Sequence, residues 1–179
     1  ISTLSLHDAL PIYERIAFIG WDSRIPDLME RERAFLDACR DYGVPRERIV
    51  VLDGGITVEE GRRLTAAVVD GYPEVTAILY GYNIQAKGGV RCLTERGVDV
   101  PGSKSVVIIG SPEWASSGRN NFTHVDQGDY DLGRKAAELL LEVINGDGRV
   151  PVRRIIQECS LVEGDTVYAI SDKERHHDL

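Results

Sequence analysis

Few residues of this chain have the type and spacing that catalysis needs. Of its four histidines, only His124 lies in the interior of the sequence, and a lone histidine in a strand pattern is ordinarily structural. His7, His176 and His177 stand near the two ends. No HExxH, GxSxG, Walker A or GxGxxG run occurs. Asp22, Asp53 and Glu113 fall near expected strand ends, where carboxylates gather for Mg²⁺-dependent phosphoryl transfer, but the Lys and Ser/Thr partners of that chemistry are missing. Asp53 suits the turn at Gly54-Gly55 better. Cys39, Cys92 and Cys159 are far apart and odd in number, with no CxxC or Cys/His spacing, so they read as buried free thiols in a reducing compartment. No catalytic residue, metal ligand or cofactor is expected.

The elements that would position these residues alternate. Arg15–Gly20 (RIAFIG) reads as a buried strand ending in glycine. Pro26–Tyr42 reads as a helix with Leu28, Phe35, Leu36 and Cys39 inward, ended by Gly43. Ile49–Asp53 is the next strand, and Thr57–Val69 a helix opened by a capping box of Thr57 and Glu60. Thr76–Tyr80, a helix near Ile84–Arg96, and Ser105–Ile109 continue the pattern. Short β-branched strands separated by helices imply parallel βαβ units covered on both faces. Right-handed crossovers then gather the strand C-termini on one edge, where such sheets bind ligands.

Phe122–Gly146 is the stretch around which the chain is organised. It begins as a strand, turns at Gly128 and becomes a broad amphipathic helix. Asp129 is the expected N-cap, Asp131 faces the positive helix end, and Asn145-Gly146 is the stop. Leu132, Ala136, Leu139, Leu140, Val143 and Ile144 recur at helical spacing, widened by Ala137 and Leu141. A stripe this broad demands a cover, and the expected cover lies outside this chain. Arg153–Cys159 reads as a further strand, and Ser171–Leu179 as a polar tail.

Composition sets the outer bounds. The 179 residues make one domain, or one and a piece, with enough apolar content for a core. A net charge of −8 argues against broad nucleic-acid binding by this portion. No apolar run approaches membrane-spanning length. Thr3–Ile12 (TLSLHDALPI) resembles one frame of a sequencing adapter, so residues 1–12 are set aside as a scar. A signal peptide is the competing reading, and it fails because His7 and Asp8 break the apolar run with no basic region before it. The natural protein is therefore expected to begin further upstream.

From Thr76 to Gly133 the order TAILYGYN, GVDVP, SVV, FTHVDQ and LGRKAAELLLEVING resembles the effector domain of the lactose-repressor (LacI/GalR) family of bacterial transcription regulators. Upstream, RIAFIG, MERERAF and DGGITVEEG fall where that family has a strand, an arginine-rich helix start and a Gly-x-aromatic turn. Each piece is weak alone, and the ordered set is fairly specific. The resemblance implies an α/β fold of the periplasmic-binding-protein-like type, with two Rossmann-like lobes closing on a small ligand. In those terms residues 13–121 form the C-terminal lobe. Residues 122–150 are the crossover and helix of a mostly missing N-terminal lobe, 151–168 the return strand, and 169–179 the tail.

The resemblance also assigns residues. Arg31 matches the family's cleft arginine, four positions before the helix aromatic, here Phe35; its donor fork can grip carboxylates or sugar hydroxyls in fixed geometry, the bland alternative being a solvated arginine in the charged run Glu30–Arg33. Gln127 matches the crossover glutamine, whose amide can donate and accept toward a polyol, or form a hydrogen bond at the start of a helix. Tyr82 and Asn83 stand where relatives have Asn and Asp; both can hydrogen-bond a ligand, and Tyr82 can stack on a sugar ring. Ile56 occupies a position where relatives often have a stacking aromatic, and it can only pack. The family's sugar-anchoring carboxylate falls on Gly110, with Ser111 next; Glu113 and Trp114 are the available substitutes, Trp114 alternatively serving as packing. A typical hexose is therefore not implied. The expected role is sensing of a small polar effector, a saccharide or relative, by a cytoplasmic homodimeric regulator whose DNA-binding head lies outside this chain. The alternative is a periplasmic sugar-binding protein of an ABC transporter.

Overall fold

A computed structural model describes residues 15–21, 26–115, 121–145 and 154–167, with side chains 26–28 excepted. The expected scar and tail, Asp22, Leu28, Gly146, Arg153 and the three terminal histidines lie outside the described residues or side chains. The strands are β1 (Arg15–Trp21), β2 (Ile49–Gly54), β3 (Val75–Tyr80), β4 (Ser105–Ile109), β5 (Thr123–Asp126) and β6 (Ser160–Val162). The helices are α1 (Pro26–Asp41), α2 (Val58–Gly71), α3 (Asn83–Glu95) and α4 (Asp129–Asn145).

The six strands form one sheet in the order β2-β1-β3-β4-β5-β6, parallel except for the antiparallel β6. Stepping one way from β1 to β2 and the other way from β2 to β4 requires right-handed crossovers to place α1 on one face, with α2 and α3 on the other. Side-chain alternation along β1 agrees. Ala17 and Ile19 join the main core with Leu64 and Val68 of α2, while Phe18 stacks on Phe35 of α1, ring centroids 5.1 Å apart. On the α2–α3 face Ile78, Tyr80, Val106 and Ile108 are buried.

Local chemistry explains the boundaries. Thr57 caps α2, its hydroxyl accepting from the Glu60 N–H at 3.1 Å. The reciprocal half of the box is displaced: the Glu60 carboxylate accepts from Gly55 N at 3.4 Å and pairs with Arg63. Gly43 and Gly97 follow α1 and α3 at φ 73° and 66°. There Val44 N donates to Cys39 O and Val98 N to Leu93 O, the six-to-one bond that closes a Schellman motif.

Three expectations need correction. Residues 154–159 are not a strand, and the return strand is Ser160–Val162. Its ladder with β5 starts at Asp126↔Ser160, so the upstream apolar pair Ile155 and Ile156 has no neighbouring strand among the described residues and stays exposed. Asp129 is not the N-cap of α4. It is the first helical residue, and Leu132 N already donates to Gly128 O. Gly128 holds a left-handed φ of 66°, with its N–H taken by Asp126. Cys159 is exposed, unlike the buried Cys39 and Cys92, and all three thiols are free. The apolar stripe of α4 finds no cover among the described residues: α4 has no buried residue, and Leu140 and Ile144 are 60% and 65% exposed.

Candidate ligand-binding edge

Because the strands are parallel, their C-terminal ends share one edge. Trp21 ends β1, Gly81-Tyr82-Asn83 follow β3, Gly110-Ser111 follow β4, and Asp126-Gln127 close β5. Arg31, near the start of α1, reaches across this edge. One guanidinium nitrogen donates to the Gly81 carbonyl and the other to Gln127 Oε1 at 3.3 Å. The guanidinium carbon stands 4.5 Å from the centre of the Tyr82 ring, a cation–π contact. The Trp21 ring meets Tyr82 at right angles, centroids 6.2 Å apart. Arg31 forms no ion pair among the described residues.

Beside this group lies a polar chain. Asn83 Nδ2 donates to Ser111 O at 3.2 Å, and Gly110 beside it holds φ 98°. The Ser111 hydroxyl donates to Asp126 Oδ1 at 3.2 Å, and the same oxygen accepts from Gly128 N at 2.9 Å. The Gly128 N–H, followed by Ser111, holds the Asp126 carboxyl below the usual aspartate range. The carboxylate is thus committed to the turn that leads into α4.

Beneath the edge sits Gln85, fully buried in α3. Its amide nitrogen donates to Gly20 O at 2.7 Å and Gly55 O at 3.1 Å. One side chain therefore ties the end of β1 to the turn that follows β2, next to Trp21 and Ile56. Glu32, next to Arg31, has its carboxyl raised by burial and then by the nearby Asp53. No group of three or more metal-ligating side chains occurs among the described residues.

The sequence-expected residues are thus dispersed in part. Arg31 contacts both Gln127 and Tyr82, and Asn83 follows Tyr82 at the start of α3. Ile56 is half-buried in the β2–α2 turn. Trp114 is drawn away: it packs on Phe122, centroids 5.6 Å apart, and against the core. A hollow of about 210 Å³ nearby is lined by Ser111, Pro112, Glu113 and His124 among others. Sequence reasoning missed Trp21, Gln85 and Asp126. Trp21 directly follows the strand read as ending at Gly20, so continuing that strand by one residue would have placed it on the edge. A Gln within a helix carries no comparable signal.

A mostly parallel sheet with its polar groups gathered on one edge, and a strand running out into an uncovered helix, has known counterparts. The Periplasmic binding protein-like domain family matches residues 13–167. The chain belongs to this family. The HTH-type transcriptional regulator GanR of Bacillus subtilis is 28% identical over 159 residues, covering 84% of this chain and 47% of GanR. A LacI-family transcriptional regulatory protein from Corynebacterium glutamicum has a TM-score of 0.73 at 25% identity, covering 91% of this chain and 62% of its own. A LacI family transcriptional regulator from Enterococcus faecium, with bound ribose, has a TM-score of 0.80 at 19% identity, covering 93% and 61%; this is a likeness of fold. The chain spans about half the length of the curated relatives it matches. These relatives of the periplasmic-binding-protein-like chain are transcriptional regulators rather than enzymes, in keeping with the LacI/GalR resemblance. No described helix is long and apolar enough to cross a membrane.

Proposed function

We propose that this chain is the effector-sensing part of a LacI-type transcriptional regulator whose DNA-binding head lies outside it. Residues 13–121 make the lobe that contributes Arg31, Tyr82 and Asn83. Residues 122–150 cross into a second lobe, and 151–168 return. The observation that carries the reading is the position of Arg31. Its guanidinium bonds at once to Gly81, at the tip of β3, and to Gln127, on the segment leading into α4. A polar ligand that competes for those donors is thereby linked to the segment joining the lobes. Differential ligand affinity for two lobe arrangements is what effector control requires, typically a coupling of about 1–3 kcal/mol. The ligand is a small polar molecule of saccharide type. The whole protein acts as a homodimer on operator DNA in the cytoplasm. A sugar-binding protein serving a transporter would share the lobes, but GanR and the other curated relatives favour the regulator.

The test is an operator-release titration of the intact protein. Arg31→Ala is expected to lose effector response while keeping operator affinity. Equal effector response in mutant and wild type would overturn the assignment.

A further inference from the structure

Trp21 has no part in the site as the sequence presents it, yet it occupies a commanding place on the edge. It is the last residue of β1, in register with Gly54 of β2, and on the other side the ladder of β1 with β3 ends at Ile19↔Tyr80, two residues before Tyr82. Its ring is half-buried and meets Tyr82 at an interplanar angle of 89°. The Tyr82 ring is already engaged on a face, by the Arg31 guanidinium 4.5 Å from its centre. Gln85 holds the Gly20 carbonyl, one residue before Trp21, from within the core. The indole therefore stands on a rigid strand end rather than on a loose loop.

We propose that Trp21 and Tyr82 form an aromatic corner that selects a cyclic ligand over its open-chain counterpart, with Trp21 as the specificity-determining wall. This rests on the effector-sensing reading of the same edge. The polar groups in reach, Arg31, Gln127 and Asn83, can serve hydroxyls on the rim of a ring but cannot tell a ring from a flexible polyol. Asp126 adds no freely placed carboxylate, since Ser111 and Gly128 hold its Oδ1. Discrimination by shape falls to the aromatic surface. A pyranose or furanose presents a face of C–H groups that an indole covers, whereas the alditol of the same carbon chain and hydroxyl configuration presents no fixed face and must lose more conformational freedom on binding.

The experiment is calorimetry on the intact protein with two matched pairs of probes: methyl β-D-galactopyranoside with galactitol, and D-ribose with ribitol. The expected result is binding of at least one cyclic probe, with its alditol about ten-fold weaker or worse. Trp21→Leu should weaken the cyclic probe about 10- to 100-fold, the range of aromatic stacking on a ring, and collapse the ratio between ring and alditol. Trp21→Phe should restore much of that ratio, which a loss of fold could not do. Equal affinity of wild type and Trp21→Leu for the ring overturns the corner while leaving effector sensing intact. So does an alditol bound as tightly as its ring. Absence of binding by all four probes overturns the corner and the saccharide reading together, whereas an unaltered operator response in Arg31→Ala strikes the effector-sensing reading alone.

Discussion

Asp126 shows how one side chain can serve a turn and a strand end together. Its Oδ1 receives the Gly128 N–H, which opens the left-handed turn before α4, and the Ser111 hydroxyl, which anchors the end of β4. Both bonds favour the ionised form, so the folded pKa lies below the ordinary value of 3.8. The sign of the linkage follows. A depressed carboxyl contributes stability that is fully present above its unfolded pKa and is lost as the pH falls through the folded one. Urea midpoints measured downward from pH 5 should therefore fall more steeply in the wild type than in Asp126→Asn. Parallel curves would remove Asp126 from the turn. Arg31 makes a related point about type rather than position. It forms its bond to Gly81, its bond to Gln127 and its contact with Tyr82 simultaneously because a guanidinium is planar and forked, which an ammonium is not.

At the scale of elements, the closest packing is that of α2 against α3. A Cβ added at Gly88 would sit 1.8 Å from Val58 O, and one at Gly61 would sit 2.0 Å from Gln85 O. Both obstacles are backbone, so neither can swing aside. The helices approach this closely because glycine stands at the crossing, and the approach brings Gln85 under the turns it ties. Gly88→Ala should cost about 1–3 kcal/mol by separating the helices, read as a lower urea midpoint at unchanged slope. It should also weaken ligand binding through Gln85. A neutral Gly88→Ala would mean that the two helix backbones do not approach this closely. Tyr80 and Thr65 reinforce the same layer, their hydroxyls 2.8 Å apart in a fully buried setting. Burial pushes the Tyr80 phenol up, so it stays neutral through the ordinary pH range.

At the scale of the molecule, two regions behave differently. From β1 to β4 the described residues bury most of their large apolar side chains, with Met29 and Tyr42 exposed; beyond β5 most such side chains are exposed. Leu132, Leu140, Leu141, Val143 and Ile144 of α4, with Ile155, Ile156 and Leu161, remain exposed. An exposed patch of this kind marks a surface meant for contact, which the proposed second lobe would supply. Residues 13–179 alone are accordingly expected to bind a hydrophobic dye and to bind the saccharide probes weakly. Leu140→Glu together with Ile144→Glu should reduce dye binding at an unchanged melting temperature. A marked drop in that temperature would place these side chains in a core of the chain itself.

Hydrophobic periodicity alone determined the alternating strands and helices from Arg15 to Ile109, because each such element is specified by residues close in sequence. The Thr57 cap and the glycine stop at Gly43 were local for the same reason. The ordered motifs from Thr76 to Gly133 were enough to point to the family. The tertiary structure decided what depends on distant neighbours. A return strand exists only where β5 offers a ladder, so Ser160–Val162 pairs while the apolar Ile155-Ile156 does not. Trp114 joins the core and Trp21 meets Tyr82 at the sheet edge, although both tryptophans stand at or just beyond the end of a strand. A tryptophan's role is set by what faces it, and only folding brings Phe122 to the one and Tyr82 to the other.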